Sequence, residues 1–107
     1  MKIGGIYTYE KNDSSYVSII MCIDDETVFH YEIDRTKTVF LDDREDVFLE
    51  ISICVGFGFD EEKFKATSIY YYEDIIDGYL GKMSEDLFDK MYEEFYQSSA
   101  ATRLRVY

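Results

Sequence analysis

The 107-residue chain contains no proline and no tryptophan, a single histidine, two cysteines, and only 11 Lys plus Arg against 23 Asp plus Glu. Without proline there is no X-Pro isomerisation step, no polyproline linker and no PxxP ligand. With His30 as the only histidine, any Ser-His-Asp or Cys-His device has one candidate base. Two cysteines and one histidine fall short of a structural zinc site. Cys22 and Cys54 lie in apolar runs and read as small hydrophobes of a reducing compartment. No run of eighteen apolar residues occurs, which predicts no membrane span. Met1-Lys2-Ile3-Gly4-Gly5 carries no hydrophobic leader core, so the expected location is the cytoplasm. The few bases are scattered, which argues against direct nucleic-acid binding.

What the chain has is apolar and acidic. Hydrophobic residues make up 47%, with 11 Tyr and 8 Phe, enough to build a core and to exclude acidic disorder. The length suits one domain over 1–107, and no stretch reads as a linker or repeat. The net charge is −12. Such a surface repels nucleic acid and anionic lipid, attracts basic proteins, and also keeps a small protein soluble.

Hydrophobic periodicity predicts strands over about 3–72 and one helix near the end. Ile3–Tyr9 reads as the first strand, and Lys11–Ser15 as a polar turn. Tyr16–Ile23 reads as a central strand, joined through Asp24-Asp25-Glu26 to Thr27–Ile33. On that third strand Thr27, Phe29, Tyr31 and Ile33 share one face, and Val28, His30 and Glu32 the other. Lys37–Leu41 reads as a short strand, Asp42–Asp46 as a charged loop, and Val47–Val55 as a period-two strand that Gly56-Phe57-Gly58 bends or bulges. Asp60–Lys63 is a turn, and Ala66–Tyr72 a last long strand. Ser84 is the expected N-cap of a helix over about 85–97, with Glu85 and Asp86 in its first turn and Met83 and Phe88 at staple spacing. Ser98–Thr102 reads as a small polar break, and Arg103–Tyr107 as a short strand or a loose end of the tail 98–107. The expected fold is α+β: a small, strongly bent antiparallel sheet or SH3-like partly open barrel of five to six strands, with a C-terminal helix.

The charge is uneven. Residues 24–62 carry a net −10 and residues 73–94 a net −6. Three turn clusters stand out: Asp24-Asp25-Glu26, Asp42-Asp43 with Glu45 and Asp46, and Asp60-Glu61-Glu62. Gathered at one end of a barrel, they would imitate a row of phosphates. Exposed turns are also charged for solubility alone. The Tyr70-Tyr71-Tyr72 run turns at least one ring, Tyr71 in the candidate set, away from the core, and tyrosine is an efficient contact residue. The alternative is a tyrosine-rich core.

Catalysis has little spacing support. His30 sits beside Glu32 on one strand face, which suits a structural histidine or an oriented base with no selected nucleophile. Asp24-Asp25-Glu26 lacks EF-hand spacing, Gly56-Phe57-Gly58 does not continue into GxGxxG, and no Gly-Lys-Ser/Thr loop occurs. No catalytic residue, metal or cofactor is expected.

Lys2-Ile3-Gly4-Gly5-Ile6-Tyr7 and Asp77–Leu87, the latter containing Gly81-Lys82-Met83-Ser84, resemble the opening strand and the late strand-to-helix step of the PemK/MazF-like family. Together they cover about a fifth of the chain. The resemblance implies an SH3-like barrel and, for active members, a ribonuclease toxin. The chain departs from the family where function lies. Its Arg-Pro is absent, Gly5 stands in place of the acidic residue, and no Thr or Ser follows a matching central strand. The expected function is therefore a non-enzymatic acidic inhibitor. It would occlude a basic, nucleic-acid-binding surface of a partner protein, as phage anti-defence, anti-CRISPR and toxin-immunity proteins do. A barrel ribonuclease or its inactive relative is the alternative, and a self-associating scaffold subunit a third reading.

Overall fold

The computed structural model describes residues 1–35 and 43–105, with only the backbone described for Asp43 and Arg105. The chain runs β1 (Gly5–Lys11), β2 (Ser14–Asp24), β3 (Thr27–Asp34), α1 (Asp43–Phe57), a 3₁₀ turn (Glu61–Lys63), β4 (Phe64–Ser68), α2 (Ile69–Ile75), β5 (Ile76–Lys82), α3 (Glu85–Gln97), a second 3₁₀ turn (Ser99–Ala101) and one helical turn, α4 (Thr102–Arg105). The five strands form one antiparallel sheet in the order β4-β3-β2-β1-β5. The fold is α+β with a C-terminal helix, as the hydrophobic pattern predicts.

Two tight turns set the register of the first three strands. Lys11 pairs with Ser14 across Asn12-Asp13, both at positive φ (52° and 64°). That is the conformation a two-residue type I′ hairpin requires, and Asn and Asp tolerate it best after glycine. Asp24 pairs with Thr27 across Asp25-Glu26, with Asp25 at φ 56°.

The sheet is strongly bent, and its connectivity requires the bend. Ser68, at the end of β4, pairs with Thr27 at the start of β3. Ile76 opens β5 opposite Tyr9, Tyr9 pairs with Tyr16, and Tyr16 pairs with Asp34 at the far end of β3. In a flat sheet Ser68 and Ile76 would lie about 19 Å apart across the strands and about 23 Å apart along them. The seven residues of α2 span only about 10 Å. The sheet must curl under α2 to bring its two edges that close. Among the described residues it does not close into a barrel, because β4 and β5 are not paired with each other.

Alternation gives the sheet two buried faces. Ile6, Val17, Ile19, Met21, Phe29, Tyr31 and Ile33 point to one side, where Val47 and Ile51 of α1 and Met91 and Phe95 of α3 cover them. Tyr7, Tyr9, Ile20 and Val28 point to the other, where Tyr72 of α2 covers them. The division of β3 into two faces is as the sequence predicts.

Several local expectations are corrected. Val47–Val55 is helix, not strand, and Asp43–Asp46 is its first turn, not a loop. Val47 and Ile51 are buried while Leu49 and Ile53 are exposed, a spacing of four that also satisfies a count of two. Packing of Val47 and Ile51 overrides the β preference of these residues. Gly58, at φ 110° with its N–H on the Cys54 carbonyl (2.6 Å), ends the helix in the left-handed conformation glycine supplies. Ala66–Tyr72 is not one strand: β4 stops at Ser68 and the tyrosine run belongs to α2. Helix α3 covers 85–97 as expected, with Ser84 at its N-cap, although the Ser84 side chain makes no capping hydrogen bond. Residues 99–105 are helical turns, so the start of the alternative strand 103–107 is helical, and Val106 and Tyr107 lie outside the described residues. The expected strand 37–41 lies outside the described residues.

Candidate acidic–tyrosine interface

Helix α2 is too short to be stable alone, since isolated helices below about 12 residues are marginal. Ile69, Tyr72 and Ile75 recur at a spacing of three and pack onto the second face of the sheet. Tyr72 is fully buried and its hydroxyl hydrogen-bonds the Ser18 hydroxyl. The opposite side of α2 therefore faces water and carries Tyr70, Tyr71, Glu73 and Asp74, all exposed.

Two bonds join this helix to the β2–β3 turn. The Ile69 N–H donates to the Glu26 carbonyl (2.8 Å), and the Tyr70 hydroxyl donates to Glu26 Oε1 (3.0 Å). Asp25, Glu26, Tyr70, Tyr71, Glu73 and Asp74 thus line one surface. Asp24 borders it and is neutralised by Arg103, whose Nη2 lies 3.2 Å from Oδ2. Beyond Asp24, no carboxylate of this surface is ion-paired with a base among the described residues.

Beneath α2 lies a polar and aromatic layer. Glu32 Oε1 accepts from the Tyr9 hydroxyl (2.6 Å) and from Lys11 Nζ (2.8 Å). Burial pushes the Glu32 carboxyl up, but those two hydrogen bonds outweigh it and hold it below the usual carboxylate range. His30, 2% exposed, shares a hydrogen bond between Nε2 and the Thr67 hydroxyl (2.9 Å). Its Nδ1 is buried with no hydrogen-bond partner among the described residues. The ring sits 4.9 Å from that of Tyr72. Burial lowers His30 to about 4, against a weaker upward pull from Glu32. Burial likewise raises the Tyr9 and Tyr72 hydroxyls well above the normal tyrosine value. The lone histidine is thus neutral at neutral pH and buried, with the Thr67 hydroxyl as its hydrogen-bond partner among the described residues.

The sequence clusters separate in space. Asp24, Asp25 and Glu26 lie in and beside the β2–β3 turn, which bonds Ile69 and Tyr70, and Tyr71 is the next residue on α2. Asp60, Glu61 and Glu62 sit before Phe64, which pairs with Tyr31, four residues along β3 from Thr27 and so about 13 Å from the turn. There Asp60 Oδ1 accepts from the Glu62 N–H, and Glu61 accepts from the Ser99 N–H. Asp43, Glu45 and Asp46 are in the first turn of α1, where Arg44 lies over Gly81 of β5, the opposite edge of the sheet from β4. Asp42 lies outside the described residues. The sequence leaves open whether the three acidic turns share one end; the structure sets the β2–β3 turn beside α2 and the other two clusters apart from it. Tyr70, Glu73 and Asp74 were not singled out by sequence, and the signal for them was the Ile69, Tyr72, Ile75 spacing.

Among the described residues no group of three or more His, Cys, Asp or Glu is arranged to hold a metal, and no helix is long and apolar enough to cross a membrane. No protein-family model, curated protein or solved structure matches the chain.

Proposed function

We propose that this chain is a non-catalytic, cytoplasmic binding protein that covers a basic, nucleic-acid-binding surface of a partner protein. The observation that supports the reading is the joining of Glu26 to Ile69 and Tyr70, on a short helix that also exposes Tyr71, Glu73 and Asp74. Carboxylates at strand-scale spacing stand in for phosphates opposite Lys and Arg, and the net charge of −12 steers a basic partner over long range. Tyr70 and Tyr71 supply contact area at low entropic cost. Inhibition of a nuclease or defence effector is the activity such a surface serves.

The test is capture of partners by tagged protein from nuclease-treated host lysate along a salt series. The reading predicts a basic nucleic-acid-binding protein that is retained at low salt and displaced by added DNA or RNA. Retention of neutral metabolic proteins alone would contradict it. RNA cleavage by the purified chain, abolished by one polar substitution, would replace it with the barrel-ribonuclease reading.

A further inference from the structure

Helix α1 is apolar on both sides. Val47 and Ile51 face the core, while Leu49, Ile53 and Phe57 are 60%, 51% and 90% exposed at a spacing of four. A stripe of this kind on an isolated chain is unfavourable, because monomeric proteins seldom leave contiguous apolar patches of several hundred Å² in water. We propose that this face of α1 is the contact between two copies of the chain, paired helix against helix.

Three features select a second copy over a basic partner. The stripe is the neutral part of a strongly acidic molecule: from Val47 to Phe57 the one charged residue is Glu50, and Lys63 pairs with it at 3.6 Å. The stripe itself therefore gives a cationic surface no unpaired charge to bind, while Glu93 and Glu94, which adjoin the helix end at Cys54, Val55 and Gly58, make two −12 chains repel. The surface is also self-complementary. Gly56 lies next to the stripe with open space where a Cβ would stand, so the backbone of a facing helix can approach closely there. The area sets the strength. The three side chains expose on the order of 400 Å² per copy, and with their flanks two copies bury about 1,000 Å², the lower bound of specific interfaces. The pairing is thus weak and reversible. Because each copy carries −12, it tightens as salt screens the repulsion.

The test is sedimentation velocity on the whole chain from micromolar to several hundred micromolar, at low and at about 0.5 M salt. A monomer–dimer equilibrium that strengthens at least severalfold with salt is expected. Phe57→Asp, at an exposed position, should keep the circular dichroism of the parent and weaken dimerisation at least tenfold. Gly56→Leu has room within its own chain and adds apolar surface, so simple stickiness predicts stronger association and helix pairing predicts weaker. A chain monomeric throughout the series would overturn the proposal. So would a dimer that survives both substitutions, or one that salt dissociates.

Discussion

The two faces of the sheet are built on different principles. Under α1 and α3 the core is almost wholly apolar, with Ile6, Val17, Ile19, Phe29, Val47, Ile51, Met91 and Phe95 fully or nearly fully buried. Under α2 it is five residues, three of them tyrosines, interleaved with His30, Glu32 and Ser18. Apolar burial is non-directional and scales with area, so the first face supplies most of the stability. The second buries less but contributes directional hydrogen bonds, which determine where a two-turn helix sits. The comparison assigns them separate duties: one face makes the protein fold, the other holds the acidic–tyrosine surface in place.

The largest test of that division is Phe95→Ala. It opens a cavity in the apolar core and should cost about 4 kcal/mol of unfolding free energy, read by denaturant titration. Next comes pH. His30 is held near 4 in the folded chain and returns to about 6.5 when unfolded, so protonation favours the unfolded state. Stability from this group is complete above about pH 6.5, falls as the pH drops towards 4, and totals on the order of 3 kcal/mol. His30→Gln should flatten that part of the pH–stability curve. Glu32, held below its ordinary value, acts in the same direction lower down: its contribution is present above about pH 4.3 and is lost as the pH falls further. Tyr72→Phe removes the hydroxyl that bonds Ser18 and should cost about 1 kcal/mol. Hydrogen exchange at the α2 amides should rise in that variant while the amides of α3 stay protected, which is the signature of separate duties. Smallest is Glu73→Gln with Asp74→Asn, within about 0.5 kcal/mol of the parent in stability, since both are exposed and unpaired.

The sequence was legible where one period dominated. Phe29, Tyr31 and Ile33 share the predicted face of β3, the Asp24–Thr27 turn is a hairpin, and α3 begins and ends as its spacing dictates. It was illegible where two periods coincide. Residues 47 to 57 are apolar at steps of two and of four because α1 has two apolar sides, and only packing of Val47 and Ile51 decides between strand and helix. The tyrosine run misled for a related reason: aromatic residues favour strands, yet Tyr72 must reach Ser18 across a sheet that bends beneath it. The candidate surface was half visible. The acids of the hairpin turn and Tyr71 could be named from the chain, but their meeting depends on the Glu26 bonds to Ile69 and Tyr70, which only the folded connectivity creates.

The central claim is that charge acts by position and not merely by amount. It is tested most directly with two variants of equal net charge. One carries Glu26→Gln, Glu73→Gln and Asp74→Asn on the α2 surface; the other carries Asp86→Asn, Asp89→Asn and Glu93→Gln on the exposed side of α3. Affinity for the captured basic partner, measured at one fixed ionic strength, should fall at least tenfold for the first and remain within about twofold of the parent for the second. Equal losses in the two variants would show that bulk acidity alone drives binding, and would contradict the account.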